Sequence, residues 1–146
     1  MKKSLLVLGL IALVTQGFIK SKDVNERKAI ANKEVVNEPL QNVTKGKDVY
    51  TRVCSACHQL TGAGIPGAFP PLAKSDYLNK DVTRAIKSVL NGVTGEVTVN
   101  GTKFNSVMPS QKTLTDQEIA DVLTYVYSSW GNSKKVVKPA MVKALR

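Results

Sequence analysis

Metal-ligating side chains are scarce in this chain, which holds one histidine and two cysteines among its 146 residues. A structural zinc site takes four Cys or His ligands as a rule, and the chain cannot supply four. A blue-copper site needs two histidines and a cysteine, which a single histidine rules out. The sequence therefore excludes the commonest zinc and copper centres.

Long hydrophobic runs are equally rare, and the one that stands out covers residues 4–19 behind the basic pair Lys2 and Lys3. It is shorter than the roughly 20 residues of a membrane-spanning helix, which favours an export signal over residues 1–19. The alternative is an uncleaved membrane anchor through residues 5–19. No cysteine lies just after the run, which excludes a lipoprotein anchor. Both interpretations predict a periplasmic domain, either soluble or held at the inner membrane.

Acidic residues are few beside basic ones, at 11 against 21, so the formal net charge is +10. Nucleic acid is not the expected partner, because no basic motif is interleaved with aromatic residues. The charge predicts either a simply solvated surface or steering toward a redox partner with an acidic docking surface. We expect a monomer, and the candidate steering lysines are Lys45, Lys47, Lys74, Lys103 and Lys112.

Both cysteines and the histidine fall in one pentapeptide, Cys54-Ser55-Ala56-Cys57-His58. This C-x-x-C-H pattern is typical of covalent haem c attachment, since two intervening residues let both sulfurs reach the vinyl groups of one porphyrin. His58 then lies under the ring, where it can ligate iron. A thioredoxin-like pair would need a βαβ context that is lacking here, and a disulfide across two residues would be strained. One covalent haem c is the predicted cofactor, with Cys54, Cys57 and His58 as binding residues.

The remaining sequence predicts one all-α domain with extensions. Residues 20–43 are polar and weakly periodic, which indicates a linker. The predicted domain covers residues 44–131, and residues 132–146 form a basic C-terminal tail.

Within the domain, turn residues and apolar periodicity separate the elements. The Asn100-Gly101 pair predicts a small β-hairpin of residues 96–99 with 102–105. The predicted helices cover residues 45–56 with Thr44 as cap, 75–78, 81–90 with Gly92 as a left-handed cap, and 115–130 behind a capping box.

Iron held by one histidine needs a second axial ligand, and the chain has three methionines. Met1 belongs to the predicted export signal and Met141 to the basic tail, which leaves Met108. It precedes Pro109 and follows His58 by 50 residues, enough chain to wrap a ring. The alternative is that Met108 fills a gap in the core. A thioether opposite histidine is typical of electron-transfer haems, so Met108 is the predicted second ligand.

On these motifs the chain resembles the class I c-type cytochromes. The resemblance covers residues 44–130 and rests on the C-x-x-C-H segment, Phe69-Pro70-Pro71-Leu72 and Val107-Met108-Pro109. Residues 64–72 and the hairpin before Met108 are similar to cytochrome c domains that accompany copper nitrite reductases, and to haem subunits of periplasmic dehydrogenases and oxidases.

The resemblance implies a cytochrome c fold, with three to four helices around one haem and a hairpin before the axial methionine. It implies that the Pro70 carbonyl accepts the proton of the second His58 ring nitrogen, which fixes the tautomer, and that Leu72 packs on the ring.

The resemblance also implies that the first and last helices cross. Gly46 and Tyr50 would then meet Val122 and Tyr125, with the glycine allowing close approach.

With both axial positions filled, the iron has no open site for substrate, so we expect one-electron transfer without enzymatic activity. The expected partner is a respiratory oxidoreductase of the nitrite reductase or terminal oxidase type. The alternative is a fixed haem subunit of a dehydrogenase or reductase complex. A third hypothesis, an enzyme or sensor from which Met108 dissociates, has no residue in its favour.

Overall fold

A computed structural model describes residues 42–146 of the chain. The predicted export signal and nearly all of the predicted linker lie outside these residues. The described part folds as predicted, into helices with one small antiparallel hairpin. Its elements are α1 (residues 42–53), α2 (Ser55–His58), α3 (Asp76–Lys80), α4 (Val82–Asn91), β1 (Val97–Val99), β2 (Thr102–Phe104), α5 (Asp116–Ser128) and α6 (Pro139–Lys143). None of the helices in this part of the chain is long and apolar enough to cross a membrane.

The helix that leads into the cysteines differs from its prediction at both ends. α1 is already helical at residue 42, so Thr44 lies inside it and the predicted cap there is wrong. The chain then turns at Cys54 and forms α2 as a separate single turn. Gln59, at φ 61°, ends that turn because a left-handed residue cannot continue a right-handed helix.

Local capping chemistry sets the start of the later helices. The Ser75 side chain accepts a hydrogen bond from the Leu78 backbone N–H at 3.2 Å, which caps α3. At α5 the capping box is confirmed: Thr115 Oγ1 accepts from the Glu118 N–H at 3.2 Å, and a Glu118 carboxylate oxygen accepts from the Thr115 N–H at 2.9 Å. These bonds satisfy N–H groups that a helix leaves without internal partners.

The hairpin is confirmed with its predicted turn. Asn100 and Gly101 both have positive φ, 50° and 77°, as a two-residue type I′ turn requires. Val97 pairs with Phe104, which places Val97, Val99 and Phe104 on one face of the pair.

α1 and α5 are in close contact as predicted, with Asp121 beside Gly46 where Val122 was expected. A Cβ at Gly46 would overlap the Asp121 carbonyl and lie 2.8 Å from Tyr125 Cβ, so only glycine fits at this contact. The Tyr50 and Tyr125 rings meet beside it with centroids 5.5 Å apart. Close contact of these two helices builds the core on which the C-x-x-C-H segment rests.

The segment predicted as a basic tail, residues 132–146, packs against α5. Val137 and Val142 are 3% and 0% exposed, and the Thr124 hydroxyl accepts from the Val137 N–H at 3.0 Å. Arg146 closes the segment by donating to Asp116 Oδ1 at 2.8 Å. The segment is therefore part of the folded domain, because its buried valines cover apolar surface that α5 would otherwise expose.

Val142→Ala tests this packing. The substitution deletes buried methyl groups, so we expect the free energy of unfolding to fall by about 1–3 kcal/mol. Val136→Ala is the matched control, since Val136 is 56% exposed and should change stability by less than about 0.5 kcal/mol. Denaturant unfolding of the haem-loaded protein measures both, and equal midpoints would show that the segment contributes nothing.

Asp121 gives the fold a predictable pH dependence. Burial raises the pKa of this carboxyl above its ordinary 3.8, while the hydrogen bond from Gln117 and the charge of Lys45 lower it in part. A raised folded-state pKa means that ionised Asp121 destabilises the native state as pH rises. Asp121→Asn should thus increase stability at pH 7, and the gain should vanish below about pH 3.8.

Asp48→Asn is the control for that measurement, because Asp48 is exposed on α1. Its effect on the unfolding free energy should be small. A pH-independent effect of Asp121→Asn would contradict the assignment of the cost to charge burial.

Candidate functional site

One mostly apolar cavity brings all six predicted site residues together. Its walls come from α2, the 69–72 loop, α3, α4, the hairpin, the 106–109 segment and α5. The predicted residues among its lining are Cys54, Cys57, His58, Pro70, Leu72 and Met108. Sequence positions up to 54 residues apart (Cys54 to Met108) thus face one space.

His58 is oriented by the Pro70 carbonyl, whose oxygen lies 2.9 Å from His58 Nδ1. A carbonyl oxygen can only accept, so Nδ1 carries the proton and the neutral ring keeps a lone pair on Nε2. Burial lowers the pKa of His58 and the Pro70 hydrogen bond raises it in part. The neutral form with a free Nε2 is the form that ligates a metal.

The two cysteines lie beside this ring with free thiols. Burial, together with the neighbouring Cys57, raises the pKa of Cys54 to about 11. The Cys54 thiol therefore stays protonated near neutral pH, which argues against a thiolate redox pair. The Tyr50 hydroxyl donates to the Gln59 carbonyl at 2.6 Å and anchors the end of the segment on α1.

The loop behind His58 is held by backbone contacts at Gly62 and Gly64. The Gly62 carbonyl accepts from the N–H groups of Leu72 and Ala73 at 2.8 and 2.9 Å. A Cβ at Gly64 would lie 2.7 Å from the Pro70 carbonyl carbon and oxygen, the group that orients His58. The Gly64 φ of 68° also favours glycine. The position of Pro70 thus depends on two glycines upstream of it.

The Leu72 carbonyl is bound by Asn132, which follows α5 in the chain. Asn132 Nδ2 donates to the Leu72 carbonyl at 2.9 Å and to the Val126 carbonyl at 2.9 Å, tying the loop to the end of α5. Asn132 is 7% exposed, so these bonds are shielded from water.

Met108 lies on a segment, residues 106–111, that we call the strap. The strap pairs with the chain just after α4. Val93 and Met108 exchange two backbone hydrogen bonds of 2.9 Å. The Met108 side chain is partly buried and lines the cavity with Val107 and Pro109.

Sequence reasoning missed much of the cavity wall. The buried face of the hairpin contributes Val97, Val99 and Phe104, and α3 contributes Tyr77. Period-two alternation in residues 97–104 was the available signal for the hairpin face. Tyr77 carried no signal, because only the fold brings α3 to the cavity.

The candidate steering lysines differ in their surroundings. Lys103 Nζ forms an ion pair with Glu96 at 2.9 Å, and the side chain of Lys74 lies within 3.3 Å of a Cβ built at Gly131. Lys112 is exposed four residues after Met108.

The donor set suits a haem attached through sulfur. Within residues 42–146 no group of three or more His, Cys, Asp or Glu side chains is arranged to hold a bare metal ion. The cavity offers two thiols, one imidazole and one thioether among mostly apolar walls. Such walls bury a porphyrin favourably, and these donors are those of haem c chemistry.

Comparison with known proteins agrees with this chemistry. The profile of the cytochrome c family matches residues 43–130. Cytochrome c-552 of Thermus thermophilus is 45% identical over 95 residues, which cover 62% of this chain and 72% of that protein.

Cytochrome subunits of dehydrogenases are similar over a smaller share of their length. The cytochrome c subunit of the quinone alcohol dehydrogenase of Gluconacetobacter polyoxogenes is 33% identical over 90 residues, 60% of this chain and 19% of that subunit. The fructose dehydrogenase cytochrome subunit of Gluconobacter japonicus is 31% identical over 122 residues, 81% of this chain and 25% of that subunit. The chain therefore spans a quarter or less of these two subunits.

The fold and the site define a small haem protein of the c type. The chain belongs to the cytochrome c family. It accordingly carries covalently bound haem c and functions in electron transfer.

Proposed function

We propose that Cys54 and Cys57 form the two thioether bonds to haem and that His58 and Met108 are its axial ligands. The observation that carries this proposal is the His58–Pro70 hydrogen bond of 2.9 Å, which leaves Nε2 as the free nitrogen of a ring that lines the cavity. Met108 lines the same cavity from a separate segment. In this arrangement Leu72 contributes to the apolar wall around the ring.

Electron transfer without a substrate site follows from that ligation. Two strong axial ligands leave no open position on iron, and a thioether raises the reduction potential by favouring Fe(II). The protein supplies an apolar enclosure and fixed ligands, so little reorganisation accompanies the gain or loss of one electron. We infer that the protein is an electron carrier and not an enzyme.

Met108→Ala tests the second ligand. The oxidised wild-type protein should show the long-wavelength absorbance band of iron–sulfur ligation. We expect the band to disappear in the variant, the reduced form to bind carbon monoxide readily, and the reduction potential to fall. Absorbance spectra and a redox titration measure these changes.

Met141→Ala is the matched control, since Met141 is 39% exposed on α6, outside the cavity. Its spectrum and potential should equal those of the wild type. An unchanged band in Met108→Ala would remove Met108 from the iron.

The proposed carrier works outside the cytoplasm, because residues 1–19 are expected to direct export. There it accepts electrons from, or donates them to, a respiratory oxidoreductase. The formal net charge of +10 supports an encounter with an acidic partner surface. Such an encounter is fast, weak and sensitive to salt.

A second candidate is a haem subunit held permanently in a dehydrogenase complex. Similarity to cytochrome subunits of alcohol and fructose dehydrogenases favours it. Gel filtration of a native extract separates the two, because a carrier should elute alone as a monomer and a subunit should elute with its complex.

Ionic strength tests the steering role of the basic surface. Oxidation of the reduced protein by an anionic iron complex should slow as salt rises, because the Debye length shortens from about 30 Å at 0.01 M to about 10 Å at 0.1 M. Lys112→Glu should slow the low-salt reaction, since Lys112 is exposed and lies four residues after Met108 in the chain.

Lys143→Glu makes the same charge change on α6, which contributes no residue to the cavity. It should have the smaller effect on the stopped-flow rate. A rate independent of salt, or equal effects of the two variants, would count against steering at the haem edge.

A further inference from the structure

The end of α4 binds the strap that carries Met108. A helix leaves its last four carbonyls without internal partners, and two of those in α4 are used here. The Leu90 carbonyl accepts from Ser110 Oγ at 2.5 Å, and the Val89 carbonyl accepts from the Gln111 N–H at 2.9 Å. With the two Val93–Met108 bonds of 2.9 Å, residues 89–93 hold residues 108–111 at four points. We call this set of contacts the α4 clamp.

Gly92 lies at the centre of the α4 clamp, in a backbone conformation that residues other than glycine rarely adopt. Its φ of 76° and ψ of −178° lie outside the left-handed helical cap that the sequence predicts there. A Cβ at this position would lie 2.5 Å from the Met108 carbonyl oxygen and 2.9 Å from the Ser110 nitrogen. Both atoms are backbone, so they cannot rotate away as a flexible side chain would.

We propose that Gly92 is a positioning residue for the axial thioether: its missing side chain lets the α4 clamp hold Met108 at ligating distance. The proposal rests on Met108 being the second ligand. The strap is attached to the rest of the domain through this helix end, so displacement of the Met108 backbone moves the sulfur with it. A shift of a fraction of an ångström matters, because ligand geometry must be held within about 0.5 Å.

Gly92→Ala tests the proposal against Gly95→Ala. Gly95 has a similar φ of 87°, but nothing lies within 4 Å of its Cβ position. Both variants therefore carry backbone strain, and only the first pushes on Met108. Gly92→Ala should weaken the long-wavelength iron–sulfur band and raise the apparent affinity of the oxidised protein for added imidazole by about tenfold or more, as the competing ligand is weakened.

Gly95→Ala should retain the wild-type band and an imidazole affinity within about twofold of wild type. Backbone strain at Gly95 does not displace Met108, so neither measurement of the iron ligation should change. Identical behaviour of the two variants would overturn the proposal.

Ser110→Ala supplies a test without backbone strain, should Gly92→Ala fail to fold. It removes one bond of the α4 clamp, so imidazole affinity should rise by about threefold to tenfold. Ser133→Ala is its control, since Ser133 is exposed and does not line the cavity, and it should resemble wild type. If Met108→Ala loses the band while Gly92→Ala and Ser110→Ala match their controls, Met108 is the second ligand but the proposed role of Gly92 and the α4 clamp is wrong. If Met108→Ala keeps the band, ligand and clamp both fail.

Discussion

The hydrogen bond between His58 Nδ1 and the Pro70 carbonyl is the constraint from which the site is built. It fixes the tautomer of the only histidine and aims the other nitrogen. It can form only if the 59–73 loop returns its carbonyl to the imidazole. That return needs Gly64, whose Cβ would overlap this region, and the Gly62 carbonyl, which binds the far end of the loop. The glycines of this loop thus allow one hydrogen bond to form, the bond between His58 Nδ1 and the Pro70 carbonyl.

The two sides of the cavity are held by different means. On the histidine side, Cys57 and His58 lie in the single turn α2 and Cys54 is its N-cap, so local geometry and covalent attachment would hold them together. On the methionine side, Met108 has no such local frame. Its segment is held by hydrogen bonds to Val93 and to the last carbonyls of α4, which have no partner within the helix. The histidine ligand is therefore specified by a few neighbours in sequence, whereas the methionine ligand depends on the packing of a separate helix.

Sequence prediction succeeded where chemistry within a few residues decides the structure. The type I′ turn at Asn100-Gly101 and the capping box at Thr115 are set by the conformations those residues allow and the bonds they make. It failed at Thr44, because residues 42 and 43 are themselves helical and a local capping preference does not by itself decide where a helix begins. It also underestimated residues 132–146, where lysines dominate the composition and two buried valines decide the packing.

The sequence by itself determined the chemical inventory: two cysteines and one histidine in one pentapeptide, one well-placed methionine, and turn and cap residues at their positions. These follow from residue type and spacing, which act over a few bonds. Only the tertiary structure decided which surfaces face the cavity, how Asn132 reaches Leu72 and how the end of α4 supports Met108. Those contacts join segments far apart in sequence, and their energies depend on burial and distance that no local pattern contains.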